Sequence, residues 1–488
     1  MTDNRYYCTV KFRLLFAFLV VLAPGVLAEG LPDLGESAQS ELSPQMERRI
    51  GESIMRDIRH DPAYFDDPEV AGYIGQLGAR LAAASPEARQ DFEFFVVRDA
   101  TLNAFAMPGG FVGVHTGLIL AAQSESELAG VLAHEISHVT QRHLARMMGK
   151  QNQAQMTQWL AIAVAILAAR SNSQVSEAAI AAGTAAGIQA QLNYSRDFER
   201  EADRIGIQTL DRAGFDVRGM ASFFERLQKF GRLYENNAPG YLRTHPLTTE
   251  RISDMENRVL LAQYRQVPDS LEFQLVRAKL KAQLNGPREA VAEFEAQLRE
   301  KKYASAAAAH YGLAVALLRD KNPSGAEREA AELRRLKAAS PMVEALAAEA
   351  RRAQDDLAGA QRILREARVR YPQSRALVYG LADALLADRQ AQEALRISEA
   401  ELQLHPSDVT LHGLRAKSYA ALGKRLQQHR AQAEVYALQG LLSPAIEQLQ
   451  LAQKAGDGDF YEQSQVDARL RELRARQAEE AKQKQKTP

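Results

Sequence analysis

Two histidines four residues apart, with a glutamate beside the first, give this 488-residue chain its strongest chemical signature: His134-Glu135-Ile136-Ser137-His138. On a helix that spacing puts both imidazoles on one face, a turn apart, so both can reach a single Zn²⁺ with no backbone distortion. Glu135 then stands next to the first ligand, placed to take a proton from a water on the metal. With ten histidines in the chain, such a match arises by chance on the order of once in fifty chains. Two histidines on a surface helix would look the same, so a third ligand decides the matter.

The third ligand is expected in the charged run Tyr194 to Gly206, where Ala202, Ile205, Ile207 and Leu210 carry helical spacing and Glu199 and Asp203 fall one turn apart on one face. Alone, such a run would be a solvated helix face. Together with the paired histidines, a carboxylate from a second helix completes a His₂Glu zinc site with its fourth position open to water. Glu201 competes for the role, but it lies about 200° around the helix from Glu199 and is expected to face solvent. Glu199 is the preferred ligand.

The helix bearing His134 and His138 is expected over roughly Ser124 to Met148. Ser124 and Glu127 have capping-box spacing, and Leu128, Val131, Leu132, Ile136 and Val139 form an apolar stripe. Upstream, helical spacing covers Pro44 to Arg59 and Pro68 to Ala84. Phe92 to Val97 reads as a strand, and Asn103 to Met107 and Phe111 to His115 as two more around the turn Pro108-Gly109-Gly110. The second of these, just before the zinc helix, is expected at a sheet edge, where an extended peptide could add as a further strand.

Formal charge is zero, with 61 basic and 61 acidic residues, which argues against a nucleic-acid partner. Arg5, Lys11 and Arg13, the apolar run Leu14 to Ala23 and the small-residue site ending at Ala28 read as a secretory signal peptide spanning residues 1–28. The single cysteine, Cys8, lies inside it, so the mature chain would have no disulfides. An exported, disulfide-free chain points to a periplasm. Two apolar stretches, Trp159 to Ala169 and Ala178 to Ala190, are too short to span a bilayer. They are expected to pack over the site or to make peripheral membrane contact through 159–190.

The run His-Glu-Ile-Ser-His, then Ser195-Arg196-Asp197-Phe198-Glu199-Arg200-Glu201-Ala202-Asp203, then Thr244 to Ile252 (THPLTTERI), resembles the HtpX and CAAX-prenyl-protease type of zinc metallopeptidase. The export signal and the tail described below narrow the resemblance to the periplasmic β-barrel assembly-enhancing protease group. It covers about residues 40–260. The resemblance implies one Zn²⁺ held by His134, His138 and Glu199, with Glu135 as general base. It also puts Asp203 in the active site, orienting a ligand histidine or assisting proton transfer. Integral-membrane relatives carry full spans after the zinc helix, whereas 159–190 cannot span. The implied clients are misassembled outer-membrane proteins, with the β-barrel assembly machinery as partner.

His245 stands in the loop Arg243-Thr244-His245-Pro246. Three roles are open to it: donating to the oxyanion of the tetrahedral intermediate, occupying the open zinc position and silencing the enzyme, or holding the loop. His60, His115 and His143 read as structural or solvated, His143 being five residues after His138 and off the ligand face.

From about Ser270 the composition turns to Ala, Leu, Arg, Glu and Gln. Tyr311 to Leu318 recurs as Tyr379 to Leu386 at an offset of 68, twice 34, and Pro372 and Pro406 are 34 apart, each twelve residues after a small residue, Ala360 and Ala394. A 34-residue period of paired helices resembles tetratricopeptide repeats, with four repeats between 305 and 456 and a concave surface for another protein. The expected class is α+β: a mostly helical zincin-type metalloprotease domain with a small sheet (29–265), an all-α repeat solenoid (266–464) and a charged, partly disordered end (465–488). The expected function is an exported zinc endopeptidase that docks through its repeats. A chaperone or adaptor with a largely silent zinc site is the rival.

Overall fold

The computed structural model describes residues 42–87, 90–148, 196–233, 240–262 and 265–486. The expected signal peptide 1–28 and the apolar stretch 159–190 lie outside these residues. Helix α1 (Pro44–His60) starts on Ser43, whose hydroxyl accepts from Met46 N. Helix α2 (Pro68–Ala84) starts on Asp67, which accepts from Glu69 N and Val70 N. Each has proline in its first turn, where a missing N–H costs nothing.

Three strands follow, β1 (Glu93–Val97), β2 (Ala104–Met107) and β3 (Phe111–His115), in the order β1-β3-β2. β2 and β3 form an antiparallel hairpin with Met107 opposite Phe111, while β1 pairs with β3 in parallel, Glu93 opposite Phe111. Gly109 and Gly110 turn the hairpin at φ 78° and 88°, and a side chain on Gly110 would run into the Asp91 carbonyl. Contrary to expectation, β3 is the central strand, and β1 and β2 are the edges. Every residue of β3 is buried, because apolar layers cover both faces. On one side Val112 and Val114 join Val96, Ile74 and Leu132; on the other Phe111 and Phe95 pack on Ile54, Met55 and Ile58 of α1.

A short helix α3 (Thr116–Ala121) leads into α4 (Glu125–Thr140). Ser124 caps α4 by accepting from Glu127 N, and the Glu127 carboxylate accepts in return from Gln123 N at 2.6 Å. All of α4 except its last residue is buried. The expected single helix to Met148 is interrupted: Arg142 adopts a left-handed conformation (φ 52°), and a separate helix α5 (His143–Met148) sets off in a new direction. The Arg142 side chain is held by Glu47 of α1 and by Leu42 O, which anchors this unfavourable backbone.

Four helices follow, α6 (Arg196–Arg212), α7 (Arg218–Leu233), α8 (Gly240–Thr244) and α9 (Thr249–Leu261), of which α6 and α7 pack directly on α4. Glycines set the approach. A Cβ on Gly206 of α6 would lie 3.2 Å from His134 N, and one on Gly219 of α7 would lie 2.6 Å from the Ser126 carbonyl carbon. From Leu271 the described chain is all helix. It forms hairpins whose first members are α10 (Leu271–Leu284) with α11 (Pro287–Glu300) and α12 (Ala306–Arg319) with α13 (Pro323–Arg335), and it ends in a long helix Phe460–Lys486. Ala326, Ala360 and Ala394, 34 apart, are fully buried at close helix crossings. The apolar core does not stop where the composition changes near residue 266: Phe273, Leu275, Phe294 and Tyr311 belong to the same cluster as Leu132 and Ile136. No described helix is long and apolar enough to cross a membrane.

Candidate metal centre

Helices α4 and α6 cross so that His134, His138 and Glu199 point at one another. His134 Nε2 and His138 Nε2 are 3.0 Å apart, and the Glu199 carboxylate lies 3.6 Å from the first and 3.5 Å from the second. His245, carried on the loop after α8, joins them: its Nδ1 is 3.0 Å from Glu199 Oε1, and ligand atoms from all four residues lie within 4.8 Å of one another. The four side chains are buried. Glu135 is fully buried beside them, with neither carboxylate oxygen in a hydrogen bond, and His245 Nε2 is 3.5 Å from Oε1.

This donor set fits a divalent ion of borderline softness. Imidazole nitrogens and a carboxylate are the ligands of catalytic zinc sites, and so many converging lone pairs in a dry interior are costly without a cation to compensate them. Burial pushes the His138 pKa well below 6.5, and burial raises that of Glu135. For Glu199, burial works in the same upward direction, but His245, His134 and His138 outweigh it and hold its carboxyl well below the usual range.

Asp203, one turn after Glu199, lies behind His134. Its Oδ1 is 3.0 Å from His134 Nδ1. Arg251 of α9 grips the same carboxylate with two hydrogen bonds, 2.7 and 2.8 Å, and its Nη1 also lies 2.7 Å from Glu199 Oε2 and donates to Pro246 O. Burial would raise the Asp203 pKa, yet Arg251 and His134 bring it below the usual value. His134 responds in kind: burial lowers its pKa, but Asp203 and Glu199 raise it to about 9. Arg251 was not singled out from the sequence, although it belongs to the run Thr244 to Ile252. Tyr241 stacks on His245 at 4.7 Å between ring centres, and Phe224 meets His134 edge-on at 5.7 Å.

Glu201 departs from its expected solvent exposure. It is partly buried, accepts from Arg146 Nη1 at 2.8 Å and pairs with His143 Nε2 at 3.1 Å. His143 is fully buried and reaches the site from off the ligand face, its Nδ1 2.8 Å from His138 Nδ1. Neither contact could be foreseen from helical spacing, because the left-handed turn at Arg142 swings His143 back under His138.

A histidine pair on one helix and a carboxylate from a second helix at this geometry define a metallopeptidase of the His-Glu-x-x-His type. In agreement, the model of Peptidase family M48 matches residues 68–259, which include every residue of the centre. The chain is similar to the beta-barrel assembly-enhancing protease of Escherichia coli strain K12, at 34% identity over 92% of each chain. It is also similar to the putative beta-barrel assembly-enhancing protease of Vibrio cholerae, at 44% identity over 52% of this chain and 53% of that one. A more distant relative, mitochondrial metalloendopeptidase OMA1 of Schizosaccharomyces pombe, is 28% identical over 46% of this chain and 65% of its own. The chain belongs to the beta-barrel assembly-enhancing protease family of M48 metallopeptidases.

Proposed function

We propose that the protein is a zinc endopeptidase of the cell envelope, periplasmic in location, that clears misassembled outer-membrane β-barrel proteins. The observation that carries the proposal is the meeting of His134, His138 and Glu199 around one point, with the buried carboxylate of Glu135 alongside. Those three residues would hold the ion, which when bound supplies Lewis acidity toward a water and a peptide carbonyl. Glu135 acts as general base: it takes a proton from the attacking water and passes it to the leaving amine. Asp203, fixed by Arg251, lies 3.0 Å from His134 Nδ1, where its charge favours the proton on that nitrogen and leaves Nε2 for the metal.

His245 is proposed as a latch. With its ring among the ligand atoms it would occupy the fourth position and exclude water, so activity requires the loop after α8 to withdraw. This placement also supports a second role, in which the latched protein works as a chaperone or adaptor through its repeats. Strand β2, one of the two edges of the sheet, is the surface on which an extended or unpaired client strand could add. The helical repeats are proposed to dock on the β-barrel assembly machinery. Casein cleavage by the native chain, Glu135→Gln and His245→Ala tests the scheme. Glu135→Gln should be inactive and His245→Ala faster than native. An active Glu135→Gln protein overturns the general-base role, and a slower His245→Ala protein overturns the latch.

A further inference from the structure

The two histidines of the centre are supported differently on their far sides. His134 has a carboxylate behind it, Asp203. His138 has another imidazole: His138 Nδ1 and His143 Nδ1 are 2.8 Å apart, and His143 Nε2 lies 3.1 Å from Glu201 Oε2, which accepts from Arg146 Nη1 at 2.8 Å. His143 is clamped in place, fully buried, with its ring parallel to Phe198 at 4.6 Å and 12°.

Proton accounting fixes every hydrogen in this row, given the metal site proposed above. A ligand histidine coordinates through an unprotonated nitrogen, and the nitrogen of His138 that faces His134 and Glu199 is Nε2. Its proton is therefore on Nδ1 and must be donated to His143. His143 Nδ1 has to be the acceptor, so the one proton of that neutral ring sits on Nε2 and is donated to Glu201. The carboxylate accepts it, and Arg146 holds the carboxylate.

We infer that His143, set in its Nε2–H tautomer by Glu201, is the positioning residue for the metal ligand His138. It orients the ligand ring and raises its basicity through a neutral imidazole where His134 uses a carboxylate. Arg142 explains how the chain reaches this arrangement: a continuing helix would carry residue 143 off the ligand face, and the left-handed residue returns it.

The test is zinc affinity of the full-length chain, measured by competition with a chromophoric chelator, and the ligand-field spectrum after cobalt substitution. His143→Leu keeps bulk and removes the acceptor; about 10–100-fold weaker zinc binding is expected, with a changed cobalt spectrum. His143→Gln, whose amide oxygen can still accept from His138, should recover most of that loss. If His143→Leu binds zinc as tightly as the native chain, the inference is overturned. A native chain that takes up no zinc overturns the metal reading itself, and this inference with it. Because His143→Leu can fail to fold, nitrogen-15 spectra of the histidines in the native zinc-loaded chain read the tautomer directly. Protonation of His143 at Nε2 supports the inference and protonation at Nδ1 overturns it.

Discussion

At the level of single residues, proton transfer is proposed for Glu135 and metal binding for His134, His138 and Glu199. Glu135→Gln is isosteric, so it should lower kcat by about 10²–10⁴-fold while leaving zinc content unchanged. Unchanged kcat would remove Glu135 from the mechanism. Arg251 is buried against two carboxylates, and Arg251→Met leaves both without their cation; a loss of about 3–5 kcal/mol of stability is expected from chemical denaturation. The paired histidines proposed as ligands were legible in the sequence because four residues make one helical turn, whereas Glu199, on a second helix, could be proposed only from the same spacing between its carboxylate and that of Asp203. Arg251 and His143 were not legible as partners. One arrives from a separate helix, and the other is brought back by a left-handed residue that apolar periodicity does not reveal.

Among the elements, the crossing of α4 and α6 determines whether Glu199 reaches the histidines. Gly206 makes that crossing close, since a Cβ there already sits 3.2 Å from His134 N, a backbone atom that cannot turn aside. Gly206→Val should push the helices apart, costing about 1–3 kcal/mol and weakening zinc binding as Glu199 retreats. Native zinc affinity in that variant would mean the crossing does not set the site. The sheet teaches the opposite lesson about legibility. The three strands could be located from β-branched and aromatic runs, but Phe111 to His115 was assigned to the edge. Which strand is central depends on the parallel pairing of β1 with β3, a contact between segments that sequence patterning does not link. The unbroken apolar character of Phe111-Val112-Gly113-Val114 was the available sign of burial on both faces.

Over the whole molecule, the peptidase region and the first repeat helices share an apolar core and a buried ionic joint, while the later repeats carry apolar clusters of their own. Lys279 of α10 donates to Asp67 at 2.7 Å and to Glu69 at 2.5 Å at the start of α2, and Tyr311 of α12 also reaches Glu69. Burial lowers the Lys279 pKa, but Glu69 and Asp67 outweigh it and the pKa is raised. Its stabilisation is therefore present in full below the ordinary lysine value of 10.5 and is lost as pH rises through the folded value. Burial raises the Glu69 pKa. Lys279→Met, which strands that carboxylate, should melt earlier than native at neutral pH and recover as pH falls and Glu69 takes a proton. A gap between variant and native that does not narrow on acidification would contradict this. The 34-residue period was readable from Ala360 and Ala394, yet the change in composition near residue 266 suggested a clean boundary that the continuous core does not respect. The claim on which the rest depends is a single ion shared by two helices, and zinc analysis of the purified full-length chain beside Glu199→Ala tests it most directly. One zinc per native chain, lost from the folded variant, is the predicted result; zinc absent from the native chain, or retained undiminished by Glu199→Ala, would contradict it.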